Sequence, residues 1–272
     1  MSSEPEQGTM TLWEHLEELR SRIIRMLVSF VAGAAVAWIY RESLLAWLTK
    51  PFELAWKQGL HKGPVVLGFM SPAALFLAYV RLAAIAGLVF ALPLILYQIW
   101  AFIAPGLYSK EKRYAMPFVA TSCLLFAAGG WFGWRFAFPV AFEYLLSFAG
   151  PVGAVDINPT ITIGDYLEFI THMLLAFGFA AELPVLVFFL SVAGIVTYQQ
   201  LIKFFRYFIV VAFIIAAVLT PPDVISQASL ALPLMLLYEG SIIAVRMVEK
   251  SAAAKAAAST AAPPPPEANP AE

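Results

Sequence analysis

Apolar residues fall into six long runs along the chain, separated by shorter polar stretches. The runs are continuously apolar and do not alternate with polar residues, which favours helices over a β-barrel. Most approach the roughly 20 helical residues that cross about 30 Å of hydrocarbon. We therefore predict an all-α integral membrane protein with six transmembrane helices, the last two short. The predicted spans are residues 23–40, 76–103, 115–135, 166–196, 204–219 and 224–245.

Polar segments flank this six-helix region at both ends of the chain. Thr11 lies three residues before Glu14, which is a capping-box pattern, and an amphipathic helix follows it. We expect residues 1–22 to form an amphipathic segment along the membrane surface and residues 23–246 to form the transmembrane domain. Residues 247–272 are rich in Ala and Pro, and their composition predicts a disordered tail.

Prolines predict where helices are interrupted. Pro51 divides the first connecting loop, residues 41–72, into short amphipathic pieces that lie on the membrane. Leu-Pro-Leu or Leu-Pro-Val triplets recur inside the second, fourth and sixth runs, at Pro93, Pro184 and Pro233. Because each proline removes one helical hydrogen bond, we predict kinked helices and a curved bundle.

The fifth run is too short for an ordinary bilayer. Residues 204–219 span about 24 Å as a helix, and Arg206 shortens the uncharged part further. Pro221 and Pro222 then end the helix, and Asp223 is placed to cap the sixth.

Composition supports a multi-span membrane protein and excludes several other classes. The 272 residues are 61% hydrophobic and 13% charged, with a mean hydropathy of +0.79. The net charge of -1 gives no nucleic-acid signature, and Cys123 is the single cysteine, so no disulfide forms within the chain. No catalytic motif is present, and the three histidines are widely separated, so we expect neither an enzyme nor a cofactor.

Charge also predicts the orientation of the bundle. Six crossings place both termini on one side of the membrane. The segments on that side carry eleven Lys and Arg residues against six on the other. Because positive loops stay in the cytoplasm, both termini are predicted to be cytoplasmic.

Two acids on that side stand apart from the basic pattern. Glu111 follows Lys110 and precedes Lys112 in the loop after the second run. Glu18 lies in the N-terminal amphipathic helix, where the i,i+4 spacing allows an ion pair with Arg22. Both are candidate acidic sites beside the lipid.

A third acid, Glu182, lies well inside the fourth run. A charge there costs about 2.5–3.5 kcal/mol, so the side chain is expected to face protein or water. Glu168, His172 and Glu182 fall on one helical edge, with Asp165 at its margin as a candidate cap. Glu182 is either a contact or coupling residue or a structural hydrogen-bonding group.

Several of these segments together resemble the TatC family, the six-span core subunit of the twin-arginine protein translocase. The resemblance covers about residues 11–246. The matching segments are HLEELRSR at 15–22, Pro51, ILYQIWAFIAPGLYSKEKR at 95–113, FGFAAELPV at 177–185 and LTPPDVISQ at 219–227.

The resemblance implies a signal-peptide receptor in the bacterial cytoplasmic (inner) membrane. Glu18 and Glu111 would bind the consecutive arginines of folded cargo, and Arg20, Arg22, Phe102 and Tyr108 would surround them. Glu182 would meet a single-span partner of the TatA type, and Pro51 and Asp223 would act in the loops. TatA and TatB would join an oligomeric, lipid-embedded complex driven by the proton gradient.

Two alternatives remain open from the residues alone. A proton- or ion-coupled small-solute transporter could use Glu182 and the kinked helices, but it predicts an internal repeat, and only the Leu-Pro triplet recurs. A purely structural membrane scaffold would leave Glu18 and Glu111 without a specific task.

Overall fold

A computed structural model describes residues 12–58, 65–103, 115–192, 194–220 and 223–260. Helices make up most of this part of the chain, and one β-hairpin joins the third span to the fourth. In chain order the elements are α1 (Leu12–Ile39), α2 (Arg41–Leu48), α3 (Lys50–Gln58), α4 (Pro72–Ile103), α5 (Ala115–Phe132), a π-helical turn (Gly133–Ala137), α6 (Phe138–Leu146), β1 (Gly150–Val152), β2 (Val155–Ile157), α7 (Ile163–Ala181), α8 (Leu183–Val192), α9 (Tyr198–Leu219) and α10 (Val224–Thr260).

Among the described residues, six helical segments are long and apolar enough to cross a membrane, which confirms the predicted all-α six-span fold. They are Trp13–Ile39, Pro72–Ile99, Met116–Leu146, Ile163–Ser191, Tyr198–Leu219 and Val224–Ser251. Arg22 and Ile39, the last residue of α1, lie about 26 Å apart along the helix, close to the thickness of the hydrocarbon, and Arg41 follows at the start of α2. We call the side of the bundle that holds Arg22 the N-terminal face and the side that holds Arg41 the opposite face.

The ends of the first and third spans differ from the prediction. Residues 12–22 are not a separate surface helix, because α1 continues from Leu12 to Ile39 without interruption. The third span does not end at Arg135. It passes through the π-helical turn and continues as α6 to Leu146, since aromatic and apolar residues follow Arg135 directly.

The last two spans are longer as helices than their apolar runs. The fifth, with 22 residues, is still the shortest of the six described spans, as predicted, whereas the sixth, with 28 residues, is not short. Helix α9 begins at Tyr198, six residues before the apolar run, because Thr197 and Gln200 form a capping box there. Helix α10 reaches Thr260, which overturns the predicted disorder for residues 247–260; alanine, frequent there, has the highest helix propensity. Residues 261–272 lie outside the described part.

Prolines affect the three even-numbered spans differently. The fourth span is interrupted at Glu182, and Pro184 is the second residue of α8, a position where its missing N–H is tolerated. At this break the Glu182 N–H donates to the carbonyl of Phe179, three residues earlier, at 3.1 Å, as in a tighter helical turn. By contrast, α4 and α10 are each a single helix through Pro93 and Pro233.

Glycines bring α1 and α4 into close contact. A Cβ atom added to Gly33 would lie 2.6 Å from the Gly87 carbonyl oxygen. One added to Gly87 would lie within 2.8 Å of the Cβ of Ala34. Side chains larger than hydrogen would push the two helices apart, so this crossing fixes which residues of α1 and α4 meet at the N-terminal face.

Helices α2 and α3 form a cap on the opposite face, which confirms the predicted amphipathic pieces. Phe52 is buried against Phe142 and Tyr166, with ring centroids 5.2 and 5.4 Å away. The Tyr166 hydroxyl donates to the Leu48 carbonyl at 2.7 Å. Pro51 is buried near the start of α3 and begins this second piece of the cap.

Candidate functional site

A polar cluster lies where the start of α1 packs against the end of α4. His15, Glu18 and Arg22 recur at helical spacing and therefore share one side of α1. The His15 ring stacks on Phe102 with centroids 4.6 Å apart. Arg22 reaches across to α4, where its Nη1 donates to the Gln98 Oε1 at 3.4 Å.

Glu18 and Arg22 form an ion pair in this cluster. The Arg22 Nε donates to the Glu18 Oε1 at 3.1 Å, and its Nη2 donates to the same oxygen. This confirms the pairing that the i,i+4 spacing predicts. The two side chains are 21% and 15% exposed, so the pair is only partly hydrated.

The second carboxylate oxygen of Glu18 is an open acceptor. Oε2 is buried and has no hydrogen-bond partner within the described residues. Leaving a buried acceptor unsatisfied costs about 1–3 kcal/mol, more for a charged group. An incoming cationic donor would remove that cost, and the same cluster holds Gln98, which contacts Arg22, and Phe102, which stacks on His15.

The structure does not bring every predicted residue to this cluster. Arg20 is exposed and lies two positions from Glu18 along the helix, about 200° around it, so it lies on another side of α1. Tyr108 and Glu111 lie outside the described residues. Sequence reasoning also missed Gln98, although its position four residues before Phe102 places both on one side of α4.

Glu182 forms a second, separate polar site at the break between α7 and α8. Its side chain is half-buried, and the fully buried Ser122 of α5 lies beside it. Within the described part of the chain, neither the Glu182 Oε1 nor the Ser122 hydroxyl has a hydrogen-bond partner of good geometry, although the two side chains are close enough to interact. Ser122 was not anticipated, because a small hydroxyl residue within a long apolar run gives no signal of its own in the sequence.

The predicted polar edge of the fourth span is divided into independent parts. Glu168 is exposed and pairs with Arg81 of α4 at 2.7 Å, far along the helix from Glu182. Asp165 is not the cap of α7. Thr162 is the N-cap, accepting from the Asp165 N–H and donating to its carboxylate at 2.6 Å.

Asp223 caps α10 as predicted. Its Oδ1 accepts from the Ser226 N–H at 2.7 Å, at the turn between α9 and α10 on the opposite face. Pro51 lies on the same face, so both loop residues are remote from Glu18. Within the described residues, no group of three His, Cys, Asp or Glu side chains could hold a metal ion.

Comparison with known proteins agrees with this architecture. Residues 14–233 match the family model described as Sec-independent protein translocase protein (TatC). Proteins named Sec-independent protein translocase protein TatC are similar over most of the chain. The one from Desulforapulum autotrophicum is 37% identical and covers 92% of this chain and 88% of its own. The one from Koribacter versatilis is 39% identical and covers 89% and 87%.

Solved structures show the same fold. A crystal structure described as twin arginine translocase receptor TatC aligns with a TM-score of 0.73 at 35% identity, covering 86% of this chain and 99% of that one. A second, in DDM, aligns with a TM-score of 0.74 at 35% identity, covering 85% and 99%. A family match over most of the chain, several relatives above 30% identity and the shared six-span fold together show that this chain belongs to the TatC family, as a multi-pass component of the Sec-independent protein translocase in the bacterial inner membrane.

Proposed function

We propose that the chain is the signal-peptide receptor of its translocase and binds consecutive arginines of folded cargo at the Glu18 cluster. One observation carries the proposal: within the described residues, a buried carboxylate oxygen of Glu18 has no partner, in a cluster where Arg22 contacts Gln98 and His15 stacks on Phe102. Arginine presents a planar fork of five N–H donors that suits a carboxylate, whereas lysine presents a compact ammonium. A translocase component is not an enzyme, and family membership leaves no reason to retain the solute-transporter alternative.

Glu18 alone is too weak to hold cargo. A hydrogen bond to a charged group contributes about 1.5–3 kcal/mol, and Arg22 already occupies one oxygen of Glu18, so only one oxygen remains for the cargo. A second acid is therefore needed, and Glu111 is the candidate. It follows Phe102 by nine residues, a stretch that reaches at most about 30 Å when extended. The apolar part of the signal peptide would bind the nearby bundle and supply further affinity.

Glu111→Gln tests the role of the second acid. We expect the variant to insert in the membrane at normal levels but to lose export of a twin-arginine reporter, because the amide cannot offset the charge of a guanidinium. The measurement is the fraction of reporter found outside the cytoplasm, normalised to the amount of receptor in the membrane. Undiminished export would remove Glu111 from the site.

We further propose that Glu182 contacts a single-span partner of the TatA or TatB type. Support comes from the half-buried carboxyl group of Glu182 beside Ser122, inside a membrane span, where an acidic side chain is costly and functional by default. Both termini would lie in the cytoplasm, in line with the excess of Lys and Arg on the N-terminal face. The proton gradient would drive transport by an oligomeric complex.

Glu182→Leu should weaken association with those partners and reduce transport, whereas Glu182→Gln, which keeps a polar group, should retain more of both. Co-purification of each single-span protein with the receptor from solubilised membranes gives the readout. Wild-type assembly and transport in Glu182→Leu would show that Glu182 only packs the bundle.

A further inference from the structure

The β-hairpin between the third and fourth spans has one apolar face. Strands β1 and β2 pair antiparallel, with Gly150 opposite Ile157 and Val152 opposite Val155. Because side chains alternate along a strand, Val152, Val155 and Ile157 lie on one face and Pro151 on the other. The three apolar side chains are 61%, 64% and 47% exposed, so this face is uncovered within the described part of the chain.

The exposed face continues the lipid-facing side of the third span. An apolar row recurs there every four residues, passes through the π-helical turn and winds slowly around the half of the helix that is turned away from buried Phe138 and Phe142. Its members are Phe132, Phe136, Val140, Tyr144 and Phe148. Neighbouring rings touch at both ends of the row, with Phe132 and Phe136 centroids 5.4 Å apart and Tyr144 and Phe148 centroids 5.2 Å apart. The row ends two residues before the hairpin begins.

Contacts between spans fix the level at which the row leaves the hydrocarbon. Phe142, in the same helix, contacts Phe169 at 5.1 Å. Phe169 follows Glu168, whose partner Arg81 lies about 25 Å along α4 from Gln98. Gln98 belongs to the N-terminal face, so Phe142 is near the far boundary of a hydrocarbon layer about 30 Å thick.

Phe148 and the hairpin then lie at the level of the lipid headgroups. Phe148 is about 9 Å further along the chain from Phe142, and the headgroup region adds roughly 5–7 Å on each side of the hydrocarbon. Asp156 is the only charged residue between Ser147 and Gly164. A lone two-stranded hairpin is marginally stable in water. Packing of its apolar face against another apolar surface would stabilise the hairpin.

We propose that the apolar face of the hairpin, together with Phe148, rests at the boundary between the headgroups and acyl chains of the lipid leaflet on the opposite face. The lipid is favoured over a protein partner because the row that leads to the hairpin is continuous with the lipid-facing side of the span. The hairpin anchors that end of the third and fourth spans in the membrane. The inference is independent of signal-peptide binding.

Single-cysteine labelling tests this placement. Cys123 is the chain's single cysteine, so Cys123→Ser provides a cysteine-free background. Three single-cysteine variants are labelled with an NBD fluorophore in proteoliposomes. Val155→Cys and Ile157→Cys probe the apolar face, and Pro151→Cys is the control on the other face. Quenching by a nitroxide attached to the lipid headgroup and by aqueous iodide is then measured.

We expect the labels at positions 155 and 157 to lose most of their fluorescence to the nitroxide lipid and to be protected from iodide, with the reverse at position 151. Iodide quenching at 155 and 157 equal to that at 151 would overturn the proposal. A disulfide between copies through Val155→Cys or Ile157→Cys, formed in place of lipid quenching, would also overturn it, because the face would then be covered by a second copy of the chain.

Discussion

Glu18→Gln is expected to reduce export of a twin-arginine reporter by about tenfold or more. Hydrogen bonds to charged groups contribute about 1.5–3 kcal/mol, and the amide cannot replace a carboxylate that binds a guanidinium. The change also leaves the Arg22 charge uncompensated, because Glu18 is its ion-pair partner. Arg22 would then repel an arginine-bearing peptide.

Glu17→Gln is the matched control for this experiment. Glu17 carries the same charge on the same helix, one residue away, but it is exposed and about 100° around the helix from Glu18. We expect normal export from this variant. Equal losses in the two variants would show that the N-terminal face needs only a general negative charge, and the specific role of the Glu18 oxygen would be lost.

Gly129→Ala is expected to destabilise the bundle by about 1–3 kcal/mol, the usual cost of overpacking. A Cβ atom at Gly129 would lie 2.3 Å from the Phe177 carbonyl oxygen and 2.6 Å from the Ala181 Cβ. The first of these is backbone, which no rotamer change can move. Helices α5 and α7 would have to separate near Ser122 and Glu182, so partner association should fall as well.

Gly130→Ala is the control, because it removes the adjacent glycine without crowding. Its Cβ would meet its nearest neighbour, the Leu174 side chain, at 3.8 Å, and alanine favours the helix by up to about 1 kcal/mol. The temperature at which half of the detergent-solubilised protein is lost from the monodisperse chromatographic peak gives the comparison. We expect a lower temperature for Gly129→Ala alone. Equal temperatures for the two variants would contradict the close packing of α5 on α7.

The sequence was sufficient to predict the spans but not their ends. A lipid core demands about 20 apolar residues in each crossing, so the six runs directly indicate six helices. Helix ends depend on other causes. The capping box at Thr197 determines the start of α9, and the high helix propensity of alanine extends α10 to Thr260. The hydropathy of the chain indicates neither of these two helix ends.

The candidate site was predictable only where its contacts are local. The Glu18 and Arg22 pair follows from a spacing of four residues on one helix. The contact between Arg22 and Gln98 joins residues 76 positions apart. It depends on the close crossing of α1 and α4 at Gly33 and Gly87, which no local pattern specifies. The contact between Ser122 and Glu182 could not be predicted for the same reason, since it depends on how α5 packs against the fourth span.

The most direct test of the receptor role compares two signal peptides that differ only at the paired basic residues. One carries Arg-Arg and the other Lys-Lys, so their charge and apolar segments match. Affinity for the purified protein, reconstituted in lipid, is measured by the fluorescence of a labelled peptide, and the same titration is repeated with Glu18→Gln. We predict tighter binding of the Arg-Arg peptide to the wild-type chain and a loss of that preference in the variant. Equal binding of the two peptides to the wild-type chain would contradict arginine recognition at the Glu18 cluster.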